Sequence, residues 1–252
     1  MRALTNRQSR SVGNLGDILK HAALVELAAL LASRGARVSH VDTHTFLLHA
    51  PPADRAKWTR EVDELVARHP AYARYAERER AFLARTGHYR CSSGLVVDVL
   101  AERRGCAVLG EADALTRGEL SAQVAGEPLE GVWVVDAAAD VDRPPRIPSG
   151  GAVLVHVDPF ALSPADWASF APALDAISER STEAVFVVYR YSRSARTAWP
   201  PAPTGTLGPV AEIRGGPHEV AVYASAALAV AAADICGSLG WRPATAPSPA
   251  GR

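Results

Sequence analysis

Two kinds of apolar run alternate along the 252 residues. The first kind is short and nearly continuous: "ARVSHVDTH", "CAVLGEAD", "GVWVVDAAAD", "AVLVHVDPF" and "EAVFVVYRY". Runs of that length, rich in valine, predict strands buried on both faces. The second kind spaces its apolar residues three and four apart. Residues 17–34 predict a helix stopping at Gly35, and "SSGLVVDVLAERRG" a compact helix with a glycine exit. Further helices are predicted near 113–124 and in "SPADWASFAPALDAISER", which opens on Ser-Pro. Residues 53–86 predict helix rich in Arg and Glu, punctuated by Pro70. A Pro-rich loop at 199–209 precedes two more strands, "VAEIRG" and "HEVAVYAS", and a last helix. The apolar run 220–236 holds Ser225 and Asp234 and is short for a membrane span, so it reads as a strand passing into a helix.

Buried strands alternating with helices predict an α/β domain whose parallel sheet is covered on both faces. Residues 45–100 lack a strong strand and read as a helical insertion after the first strand. One domain is expected over 1–242, with a disordered tail at 243–252.

Composition adds constraints. Hydrophobic residues make up 48 %, enough for a sizeable core. Lys plus Arg and Asp plus Glu both number 27, so the net charge is zero. The positive excess usual in proteins with a large nucleic-acid footprint is absent. The Arg2, Arg7 and Arg10 arm reads equally as a solvated terminus or as a contact to one or two phosphates. Cys91, Cys106 and Cys236 show neither disulfide nor metal spacing, and no apolar leader opens the chain. A reducing cytoplasm and no membrane are expected.

Four predicted strands end in an acid: Asp42, Glu111, Asp136 and Asp158. In an open parallel sheet, ligands bind outside the carboxyl ends of the strands. Any one such acid reads first as a helix cap. Four together point to a nucleoside-bearing ligand, because carboxylates accept from ribose hydroxyls and exocyclic amines. The turn after the first strand, "DTHTFLLHAPP", has no glycine, which excludes a pyrophosphate cradle. His21, His44, His49 and His156 lack ligand spacing on one helix, so no metal site is expected.

The blocks "GNLGDILKH", "VDTH", "CSSG", "GEAD" and "VHVDPF" together resemble the RlmJ family in order and spacing. These are 23S ribosomal RNA adenine-N6 methyltransferases that use S-adenosylmethionine. The resemblance covers about residues 10–165 well and the remainder by strand pattern. It implies a Rossmann-like class I methyltransferase sheet with a helical insertion after the first strand. It also implies that Lys20 and His21 contact the methionine end of the cofactor, with His44 and Ser93 close by. Glu111 would hold the ribose hydroxyls and Asp136 would lie near the adenine. Asp158 and Pro159 match the start of the family's D-P-P-Y motif, in which an acid and a proline carbonyl accept from the target amine. Ribosomal RNA is then the implied partner.

Three features depart from the family. The second proline of D-P-P-Y is Phe160 and its aromatic is Ala161. The family's glycine-rich turn reads Thr45-Phe46-Leu47-Leu48, and its N-terminal tyrosine falls near Asn6. Phe160 stacks on a base only from a shifted position. Three readings therefore stand: an active RNA methyltransferase, a repurposed enzyme with a small-molecule acceptor in secondary metabolism, and a non-catalytic binding protein. In the second, Phe46, Phe160, Tyr189, Tyr191 and Trp199 line an apolar pocket.

Overall fold

The structure is a computed structural model that describes residues 12–34, 37–101, 105–127, 131–136, 150–158, 164–191, 207–215 and 217–244. Pro159, Phe160, Ala161, Trp199, the N-terminal arginines and all but the first two residues of the expected disordered tail lie outside the described residues.

The chain runs through α1 (Leu15–Ser33), β1 (Val38–Asp42), β2 (His49–Ala50), α2 (Arg55–Arg68), a 3-10 turn (Pro70–Tyr72), α3 (Ala73–Thr86), β3 (Tyr89–Arg90) and α4 (Ser92–Ala101). It continues through β4 (Cys106–Gly110), α5 (Ala114–Val124), β5 (Val132–Val135), β6 (Ala152–Val157) and α6 (Pro164–Arg180). It closes with β7 (Glu183–Tyr191), β8 (Leu207–Gly215), β9 (His218–Ser225), α7 (Ala229–Ser238) and β10 (Arg242–Pro243).

The opening block "GNLGD" sets the start of α1 residue by residue. Gly13 turns the chain at φ +82°, in the left-handed region where a Cβ is strained. Asn14 caps the helix by accepting from the Asp17 N–H at 3.2 Å, and the Asp17 carboxylate reaches back to the Gly13 N–H at 2.8 Å. Gly16 lets α1 approach β9, since a Cβ there would sit 2.4 Å from His218 Nδ1. Beyond this start, Ile18, Leu24, Leu27 and Leu31 are fully buried. Each such side chain contributes roughly 1.5–3 kcal/mol.

Eight strands form one sheet in the order β10-β8-β9-β7-β6-β1-β4-β5. The pairs β5–β4, β4–β1, β1–β6 and β6–β7 are parallel, and β9 enters antiparallel between β7 and β8. This is the Rossmann-like α/β sheet that the family resemblance implied, but it is mixed rather than wholly parallel, because β9 runs back between β7 and β8 and β10 pairs antiparallel with β8. Successive residues serve opposite faces. Val153, Val155, Val157, Phe186 and Val188 pack with Leu174 and Ile177 of α6. Ala152, Leu154, Val185 and Val187 pack with α1, α4 and α7. His40, Asp42 and His156 share the parity of that second face, so their strands place them inside, beneath α1 and α4.

The segment between β1 and α4 leaves and returns at one place. Its two ends pair as a two-residue hairpin, His49 opposite Arg90 and Ala50 opposite Tyr89, which the sequence did not announce. Trp58, Tyr72, Tyr75 and Tyr89 fill its interior and join the main core. Among the described residues no helix is long and apolar enough to cross a membrane.

Candidate functional site at the carboxyl edge of the sheet

Strand order reverses between β1 and β6. The first leads outward to β4 and β5, the second to β7. Crevices at such a switch point are where open α/β sheets bind ligands. The cluster found here is more deeply set than a rim. Asp42 and His156, paired in register on these two strands, are both fully buried. His156 Nδ1 lies 3.0 Å from Asp42 Oδ2, and the Ser93 hydroxyl donates to the same oxygen at 2.6 Å. His40 Nε2 lies 3.1 Å from Ser93 Oγ, and His40 Nδ1 donates to the Leu154 carbonyl at 3.1 Å. Burial works against charge on Asp42, yet His156 beside it holds its carboxyl well below the usual range. Burial pulls His40 down to about 4.

Asp158 follows β6 and is the more accessible end of this cluster, its side chain 17 % exposed. It pairs with the ammonium of Lys20, which also lies 2.9 Å from Asp17. The Lys20 ammonium sits 4.8 Å from the centre of the Tyr189 ring. Burial alone would lower Lys20, but Asp158 and Asp17 outweigh it and raise it above its ordinary value. The Tyr189 hydroxyl meets His218 Nδ1 at 2.7 Å, so the ends of β7 and β9 complete that wall.

The other expected residues separate. His21, next to Lys20 on α1, turns the opposite way and is buried, with Nδ1 2.9 Å from the Tyr89 hydroxyl. Tyr89 in turn meets Tyr75 at 2.9 Å, and Trp58 donates to Tyr75 at 3.3 Å. Burial lowers His21 to about 3 and raises both tyrosines well above their usual value, so this second network is neutral. Ser93 is fully buried against Asp42. His44 is half-buried, bonded to the Thr43 hydroxyl at 2.7 Å. Glu111, just past β4, is half-buried and accepts from the Asp113 N–H at 2.7 Å; burial pushes it up to about 7. Asp136, past β5, is exposed. Pro159 and Phe160, the other two expected catalytic residues, lie outside the described residues.

One expectation is corrected. Asp42 does not stand on a ligand-facing rim with the other three acids. The glycine-free turn folds back over it: the Thr43 N–H bonds to the His156 carbonyl at 3.1 Å and the Thr45 N–H to the Gly110 carbonyl at 2.7 Å. Leu47 and Leu48 then enter the core, and Phe46 packs half-buried against it. The Leu48 carbonyl presses so close to α4 that a Cβ on Gly94 would sit 2.1 Å from it. His40, His156 and His218 were not among the expected site residues. His156 was legible only through its spacing, two residues before Asp158 on one side of a strand.

No family model matches the sequence, and no curated protein does. Among solved structures, the chain is similar to protein LPL1258 from Legionella pneumophila, with 15 % identity, a TM-score of 0.61, and 85 % of this chain aligned to 86 % of that one. That similarity shows the fold. An rRNA methylase from Streptococcus thermophilus aligns over 80 % of this chain and 96 % of its own at 7 % identity, with a TM-score of 0.43. That alignment is too loose to bear on activity.

Proposed function

We propose that the chain is an S-adenosylmethionine-dependent methyltransferase whose acceptor is the exocyclic amine of a nucleobase in RNA. The observation that carries this reading is the pairing of Asp158 with Lys20 at the switch point of a Rossmann-like sheet, in a "VDP" context that resembles the RlmJ family. The residues present fit such a cofactor. Glu111 offers a half-buried carboxyl at the end of the neighbouring strand, suited to vicinal hydroxyls, and Asp136 lies one strand further out. Bound there, S-adenosylmethionine supplies an electrophilic methyl group on a sulfonium. The chain then has to align the amine and accept a hydrogen bond from it. Asp158 would accept that hydrogen bond, and its pairing with Lys20 would fix the orientation of the carboxylate. Lys20 stays protonated between two acids and donates nothing to the reaction.

Calorimetry with S-adenosylmethionine tests the reading first, and methyl transfer to deproteinised ribosomal RNA tests the acceptor. Wild-type binding with a loss of at least tenfold in affinity in Glu111→Ala is the expected result. Affinity should also weaken below about pH 7, where Glu111 takes up its proton. No heat of binding in the wild-type chain removes the proposal. Zero net charge favours one second reading, a small-molecule acceptor. Binding of the cofactor without transfer to RNA would select it.

A further inference from the structure

The chain of contacts behind Asp158 is short of protons. Its four contacts run from the Leu154 carbonyl through His40, Ser93 and Asp42 to His156, and each needs one hydrogen. Neutral His40, Ser93, ionised Asp42 and a His156 carrying its hydrogen on Nδ1 supply three between them, and the contact left without one is that of His40 Nε2 with Ser93 Oγ. At the far end, His156 Nε2 is fully buried and has no hydrogen-bond partner among the described residues. It faces Asp158 Oδ2 at 3.9 Å, beyond direct hydrogen-bond distance. An orphaned ring nitrogen costs about 1–3 kcal/mol where water cannot reach it. A core with no use for that nitrogen would hold an apolar residue there.

We propose that Asp158, His156 and Asp42 form a proton-holding relay, in which His156 takes up the proton that methylation of an amine releases to Asp158. This rests on the methyltransferase reading above. The amine lone pair forms the N–C bond while the C–S bond breaks and its electron pair stays on sulfur. The nitrogen, now cationic, loses one N–H proton to the Asp158 carboxylate. That proton passes to His156 Nε2, which regenerates the carboxylate. The resulting imidazolium keeps its Nδ1–H on Asp42 and lies between two acids. His156 touches no substrate and acts through Asp158, so it is a positioning residue. The charged and titratable groups around it are Asp42 and His40 from β1, Lys20 and His21 from α1, and Asp158 on its own strand. Lys20 and His21 oppose a cation at His156. Asp42 and Asp158 favour it, at 3.0 and 3.9 Å.

The deciding measurement is nuclear magnetic resonance of the histidine rings in the full chain, wild type against Asp158→Asn. The relay requires His156 to carry its proton on Nδ1. It also requires the ring's protonation midpoint to fall by about one pH unit or more when the Asp158 charge is removed. An unmoved midpoint, or a proton resident on Nε2, overturns the relay whether or not the chain methylates anything. In single turnovers with cofactor and RNA, His156→Asn is expected to slow transfer about 100-fold at pH 7 and to recover as pH rises, with cofactor affinity within twofold. An equal loss at every pH assigns a structural role and overturns the relay. Should His156→Asn fail to fold, the Asp158→Asn ring titration decides alone. A wild-type chain that transfers no methyl group removes the proposed function, and the ring titration still decides the relay.

Discussion

Lys20 and His21 are neighbours on one turn of α1, and each ends in a buried polar network of opposite character. On the Lys20 side, Lys20, Asp17, Asp158 and Asp42 keep formal charge inside the protein, with His156 bonded to Asp42. On the His21 side, Tyr89, Tyr75 and Trp58 make a neutral chain of hydroxyls and ring nitrogens. Both are largely buried, although the Asp17 and Asp158 side chains keep 16 % and 17 % exposure and the tyrosines none. The difference is the partner. Paired carboxylates and a cation hold one another ionised, while phenols and an imidazole in the same dryness shed charge. Adjacent residues of one helix thus lead into a charged network and into a neutral one that ties the insertion to the sheet.

Four measurements break or sharpen that contrast. Lys20→Met leaves Asp17 and Asp158 buried without their cation, and should cost about 3–5 kcal/mol in chemical denaturation. A loss below 1 kcal/mol would mean water reaches those acids freely. Gly94→Ala drives a methyl group into the Leu48 carbonyl where the turn meets α4, and should cost about 3 kcal/mol. Third is the pH dependence of unfolding. His21 and His40 have folded values near 3 and 4, below their unfolded value of about 6.5. The unfolded chain therefore binds protons first. On their account stability should be flat above about pH 7 and fall as pH drops from 6.5 towards 4, by about 1 kcal/mol per pH unit for each ring, less an opposing contribution of similar size from Glu111, raised to about 7. Urea midpoints at pH 7, 6 and 5 read this directly, and stability that rises towards pH 5 would overturn it. The smallest effect is expected for Tyr89→Phe, which removes one hydroxyl from the neutral chain. It should cost about 1 kcal/mol and leave cofactor affinity unchanged. A lost affinity would merge the two networks into one.

The strands were legible because buried parallel strands announce themselves as unbroken apolar runs, and "AVLVHV" became β6 as read. The start of α1 was legible as a specific block, though its reason was local: a capping pair at Asn14 and Asp17 and a close approach at Gly16. The hairpin of His49–Ala50 with Tyr89–Arg90 was not legible, since two residues carry no periodicity. Nor was the inward position of Asp42. A final acid looks the same in sequence whether it meets solvent or a histidine from the next strand, and only the register of β1 with β6 distinguishes them.

The two-residue clasp at His49 and Arg90 has a consequence for how this chain assembles and diverges. Because the excursion starts and finishes side by side, β1 and β4 are joined through a connection whose effective length excludes most of what lies between. The entropy of closing that loop changes only slowly with the number of residues looped out. The exposed turns beyond the clasp can thus lengthen or shorten without shifting the register of the strands that hold the buried acids, while Trp58, Tyr72 and Tyr75 stay tied to the core.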